Sequence, residues 1–153
     1  MAGRRDLRLA SFNEVMPEVA GLLDGHETVG NWTLGQILNH LAGALRMSVD
    51  GIDFRAPWIL RKTVAPFARR HVFKTGRIRD GIKLPEAALP RPGLDARAEA
   101  EGLREALEYY AAATGPMADH PFFGPMSRAD WDRLHLIHIA HHLSFARRAV
   151  PVG

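Results

Sequence analysis

Four histidines stand inside one strongly apolar stretch, Ser127 to Arg148 (SRADWDRLHLIHIAHHLSFARR), and no other feature restricts the fold of this chain as much. The stretch opens with Ser127 and, three residues on, Asp130, a capping-box-like helix start. At about 100° per residue, His138 and His142 fall within about 40° of each other, on the face that carries Trp131, Leu134 and Phe145. A single histidine on an apolar face is ordinarily a hydrogen-bonded core residue. Several together are harder to satisfy, because each unmatched N–H or lone pair costs roughly 1–3 kcal/mol. Two imidazoles at i, i+4 can instead bring their nitrogens to one point about 2 Å from each, the geometry by which a helix chelates a transition metal. His138 with His141, at i, i+3, offers the same. His135, about 60° from His138, reads either as hydrogen-bonding support for such a site or as a polar edge.

The chain's 153 residues are expected to form a single helical domain over 1–153, with its core between about residues 11 and 149. Apolar residues make up 46% and charged ones 24%, the balance of an ordinary globular protein. The net charge of +3 comes from seventeen Arg and three Lys spread along the chain. Its densest basic run, Arg69, Arg70, His71 and Lys74, is short and reads as a solvated helix face, so no nucleic-acid partner is expected. There is no cysteine. Any metal must therefore be held by His and carboxylate, and thiol chemistry would need a thiol from outside. No run approaches 18 apolar residues and no apolar core follows the first charged residues, so neither a membrane span nor a secretory signal is expected, and the cytoplasm is the expected location.

Met1 to Leu9 reads as a charged leader. Ser11 and Glu14 suggest a capping box for a short helix from about Phe12 to Leu23, with Pro17 bending it or shifting its start. Thr33 with Gln36 forms the best capping box in the chain, opening a helix whose stripe of Leu34, Ile37, Leu38, Leu41 and Leu45 runs to about Met47. His40 lies beside that stripe. Two histidines from one helix leave a metal under-coordinated, and His40 from a facing helix would complete the set with an open position, as in helical bundles. A third helix is expected from Pro57 to about Lys74, bent by Pro66, and a fourth after Asp95, ended by Gly115-Pro116. Between these, residues 76–93 form an irregular segment, either a plain loop or a wall of a site. His120 to Pro125 is a stiff aromatic loop. The pattern predicts an all-α fold of about four main helices and a short first one, in an antiparallel or partly crossed bundle.

Trp32-Thr33-Leu34-Gly35-Gln36 leading to His40-Leu41-Ala42, then His120-Pro121 with Phe123-Gly124, and a closing His138-x-x-His141-His142-Leu143, together resemble a DinB-like protein of the branch catalogued as domain of unknown function 1569. The resemblance covers Ser11 to Ala149. It implies a DinB-like four-helix bundle, commonly dimeric, with a divalent metal on His40, His138 and His142. His141 competes for the third place. The chain departs from relatives that often carry Gln two residues after the paired His and Leu, having Phe145 there. Characterised relatives include transferases and isomerases that use low-molecular-weight thiols.

Three neutral imidazoles would leave an ion its full charge and an open position, suited to acidifying water or a small thiol. No Asp or Glu falls beside His138 and His142, as hydrolysis usually wants, so a thiol-dependent transferase acting on a small molecule is favoured over a hydrolase. Asp50 or Asp53 is the available base, and Arg46, Lys83 and Arg147 are candidates to hold an acidic thiol. A non-catalytic metal-binding or interaction module and a metal-free helical dimer are the competing classes. Imidazole donors point to Zn or Ni first, with Fe or Mn next.

Overall fold

A computed structural model describes residues 3–150 of the chain. Glu14 Oε2 accepts the Ser11 N–H at 3.0 Å, and a single 3₁₀ turn, Phe12–Glu14, runs into helix α1, Val15–Leu23. Pro17 falls in the first turn of α1, where its missing N–H leaves no intrahelical bond unmade, so it moves the helix start and does not bend the helix. The Thr33 cap forms as the sequence suggests: Gln36 N–H donates to Thr33 Oγ1 (3.3 Å) and Thr33 N–H donates to Gln36 Oε1 (3.0 Å). They open α2, Leu34–Asp50, whose apolar stripe Leu34, Ile37, Leu38, Leu41 and Leu45 is buried.

The third helix is not one bent rod. It divides at Val64 into α3, Trp58–Thr63, and α4, Ala65–Thr75, because Pro66 cannot donate to the turn before it and sits instead in the first turn of a new helix. No residue of α3 is buried; Trp58 is 66% and Phe67, on α4, 77% exposed. Asp95 caps α5, Ala96–Ala112, by accepting the Ala98 N–H at 2.8 Å. Ser127 caps α6, Arg128–Leu143, by accepting from Asp130 N–H (3.1 Å), while the Asp130 carboxylate pairs with Arg69 on α4 at 2.8 Å.

Two three-residue strands, β1 (His26–Thr28) and β2 (Ala146–Arg148), form an antiparallel ribbon with His26 opposite Arg148 and Thr28 opposite Ala146. They are too short to show an alternating pattern, so sequence reading passed them over. Apart from this ribbon the fold is mostly helical, as the apolar periodicity predicts. The leader is also more than charged. Arg5 N–H donates to Ser144 O (3.0 Å), its guanidinium pairs with Glu18 (2.6 Å), and Leu7 and Leu9 pack on the core.

Helix α2 lies at the centre, packed against α5 and α6; α1 also packs on α5, and α4 on α6. The approach to α5 is close at Gly35, where a Cβ would collide with the Leu94 carbonyl oxygen. Helices α2 and α6 run antiparallel, since Ser48 near the end of α2 meets His135 in α6, whereas His40 meets His138 further along. No helix among the described residues is long and apolar enough to cross a membrane.

Candidate metal centre

His40 stands on α2 beside the buried Leu41, and His138 and His142 stand one helical turn apart on α6. The two helices are antiparallel and tied together by Ser48 and His135, and all three half-buried rings face one another. One ring nitrogen from each lies within 4.8 Å of the other two. His40 Nε2 and His138 Nε2 are 3.2 Å apart, and the centroids of His40 and His138 are each 4.6 Å from that of His142. Two ligands at metal–nitrogen distances of about 2.0–2.1 Å in a tetrahedral site are about 3.4 Å apart, so the His40–His138 separation already suits a shared ion.

Burial is the main cause holding His40 down to about 4 and His142 down to about 2, with neighbouring imidazoles adding to it. His138 is pushed well below its usual value, again by burial first and then by His142 and His40. All three are therefore neutral at neutral pH. Each can offer a lone pair without first losing a proton, which metal binding requires. The cluster contains no carboxylate. Three neutral nitrogens fit a borderline-soft divalent ion and would leave its charge uncancelled. Trp32 stacks on His142, with ring centroids 5.5 Å apart and planes 10° from parallel, and lies against His40 at 5.1 Å. The sequence offered Trp32 as part of a motif but gave it no place in the site.

The other histidines separate cleanly from this group. His141 is not in the cluster: its ring turns towards Asp80, with Nδ1 4.0 Å from Asp80 Oδ1. His135 stands outside the cluster and not at an edge, tying α6 to α2 through Ser48. It is 2% exposed and shares a 2.8 Å hydrogen bond with Ser48 Oγ. The Ser48 hydroxyl donates to Leu45 O at 2.7 Å, so His135 Nε2–H is the donor to Ser48. His120 Nδ1 accepts the backbone N–H groups of Phe122 and Phe123, both at 3.0 Å, and its own backbone exchanges two 2.8 Å bonds with Gly124. The aromatic loop is thus a histidine-pinned turn, tied onward by Ala118, which donates to Ser48 O (2.9 Å) and accepts from Trp131 Nε1 (3.1 Å).

Of the polar residues that the sequence suggests for substrate and base roles, three are engaged elsewhere and two are exposed. Asp50 accepts from Tyr109 OH at 2.5 Å and lies ten residues, about 15 Å of helix, beyond His40. Arg46 stacks over Tyr109 and Arg147 pairs with Glu27 at 2.6 Å. Lys83 and Asp53 are exposed on connections. Phe145, where relatives often carry Gln, receives the Arg4 guanidinium over its ring at 5.0 Å and the edge of His141 at 5.5 Å.

No curated protein and no solved structure matches the chain. One family model, described as "Protein of unknown function (DUF1569)", matches residues 1–149, nearly the whole chain and every element of the site. The chain belongs to that family.

Proposed function

We propose that this protein is a metal-dependent enzyme built on a DinB-like four-helix bundle, whose arms are α2, the α3–α4 pair, α5 and α6. Its centre is a divalent ion, Zn or Ni in preference to Fe or Mn, held by His40, His138 and His142. One observation carries the reading: three neutral imidazoles, from residues as far apart in sequence as 40 and 142, meet at one point with no carboxylate among them. The reaction this favours is transfer to or from a low-molecular-weight thiol. A divalent ion with three neutral ligands supplies an uncancelled charge that favours an anionic thiol in its open position. The chain's own residues do the rest. Burial keeps the three imidazoles deprotonated, Trp32 fixes the plane of His142, and the Ser48–His135 bond holds the register of α2 against α6. A hydrolase is less well supported, because no carboxylate stands in the cluster to act as base.

A second reading has its own observation. The triad joins two helices, so an ion there could be purely structural, making the protein a metal-binding module. Elemental analysis of untagged protein, beside His138→Ala and His142→Ala, tests both. About one equivalent of transition metal in the parent and none in either variant supports the site; no metal, even after reloading with Zn, Ni and Mn, removes both readings. Exchangeable water on the ion then separates an open catalytic site from a closed structural one. A homodimer belongs to the same proposal. The unpartnered apolar run of Trp58, Ile59 and Phe67 is consistent with self-association, which light scattering of the parent against Trp58→Glu would detect.

A further inference from the structure

On the other side of His141 from the triad lies a cavity of about 480 Å³, between the N-terminal segment and the segment that follows α4. Its wall holds five arginines, Arg4, Arg5, Arg8, Arg77 and Arg79, against two aspartates, an excess of three positive charges. Internal pairing uses only part of this. Arg4 pairs with Asp80, Arg77 stands 3.5 Å from Asp6, and Arg5 turns to Glu18. Arg8 and Arg79 make no ion pair or side-chain hydrogen bond with any described residue. Arg8, which is exposed, reaches across to Gly76, its Nη1 lying 3.1 Å from where a Cβ there would stand.

Two buried side-chain nitrogens among the described residues have no hydrogen-bond partner, Arg5 Nε and His141 Nδ1, and both belong to this wall. The His141 side chain is only 9% exposed, and its nearest carboxylate oxygen, on Asp80, is 4.0 Å away, too far for a hydrogen bond. Buried polar groups are almost always satisfied, so two orphans in one wall point to something that binds there. Cations with orphaned nitrogens beside them call for an acceptor with several oxygens, the chemistry of phosphate or of paired carboxylates.

We propose that this cavity binds a multiply charged oxyanion, the phosphate or polycarboxylate part of a ligand. The arginines would hold it by charge-assisted hydrogen bonds, with His141 completing the wall on the triad side. His141 lies 4.9 Å from His142, ring to ring, so the cavity and the three-histidine cluster are separated by one imidazole. The oxyanion site stands without the metal reading.

Calorimetric titration of the full chain with inorganic phosphate, and separately with citrate, at ionic strength fixed with chloride tests it. The expected result is one site per chain with a dissociation constant below about 1 mM for at least one of the two anions. Arg8→Gln and Arg79→Gln should each weaken that binding about tenfold, as loss of a charge-assisted bond does, while thermal unfolding without ligand and metal content stay at parent values. Tighter phosphate than citrate identifies a phosphorylated ligand, and the reverse a polycarboxylate. No heat from either anion, or binding that both variants leave unchanged, would overturn the proposal.

Discussion

Two groups of buried imidazoles sit within one helical turn of each other on α6 and have been treated in opposite ways. His135 donates to Ser48, packs edge-on against Tyr110 at 4.8 Å and stacks on Trp131 at 5.2 Å; its Nε2–H and its ring are engaged by the rest of the core. His138 and His142 meet chiefly imidazoles: each other and His40, with Trp32 as the lid. Burial drives both groups to the neutral form, so burial alone does not mark a site. What separates them is where the lone pairs go. His135 gives its N–H to the fold, while one ring nitrogen from each member of the triad is directed at a shared point.

The largest way to break this contrast is at the triad. His138→Ala and His142→Ala should each weaken divalent-metal binding by more than about 100-fold, read by competition with a chromophoric chelator. His135→Ala should leave it within a few-fold of the parent. Acid should act on the matched histidines next. His120 is held down to about 4 and His135 down to about 3, both by burial first, whereas an unfolded chain takes up these protons near 6.5. The unfolded state thus binds more protons between those values, so their stabilisation is complete above about pH 6.5 and is lost as pH falls through the window. Urea unfolding of metal-free protein should show a loss of stability from pH 7 to pH 5, to which these two residues contribute roughly 4 kcal/mol and the other buried imidazoles add. A flat profile would show that they are not buried neutral.

A smaller effect sharpens the same comparison. His135→Ala should cost about 2–3 kcal/mol in urea unfolding at pH 7, through the cavity it leaves and the lost bond to Ser48. Smallest is the cap that opens α2. Thr33→Ala removes an acceptor for Gln36 N–H and should lower stability by about 1 kcal/mol, without changing metal stoichiometry, because His40 lies two turns further in. A larger loss there would mean that the helix start also positions the site.

The caps at Thr33, Asp95 and Ser127 were legible because each is a local pattern of a few residues read by the first turn of its own helix. The candidacy of His40, His138 and His142 was legible for a related reason: 3.6-residue periodicity states which residues share a face. It could not choose between His141 and His142, since i, i+3 and i, i+4 both put a ring beside His138. That choice comes from Asp80 and Arg4, which lie far away in sequence and gather around His141. The cationic cavity was hidden likewise, its wall being assembled from residues 4–8, 76–80 and 137–141. Pro66 was visible, but whether it bends a helix or ends one depends on packing that no short window contains.

The antiparallel pairing of α2 with α6 also has a consequence for the order of events during synthesis. His40 is made well before its partners at 138 and 142, which follow it by about a hundred residues. A nascent chain still lacking α6 carries one of the three imidazoles and cannot form the cluster. Bringing such distant segments together carries a loop-closure penalty that grows slowly with length and must be overcome by packing of the helices. The three imidazoles can therefore be brought together only after α6 has been made and packed against α2.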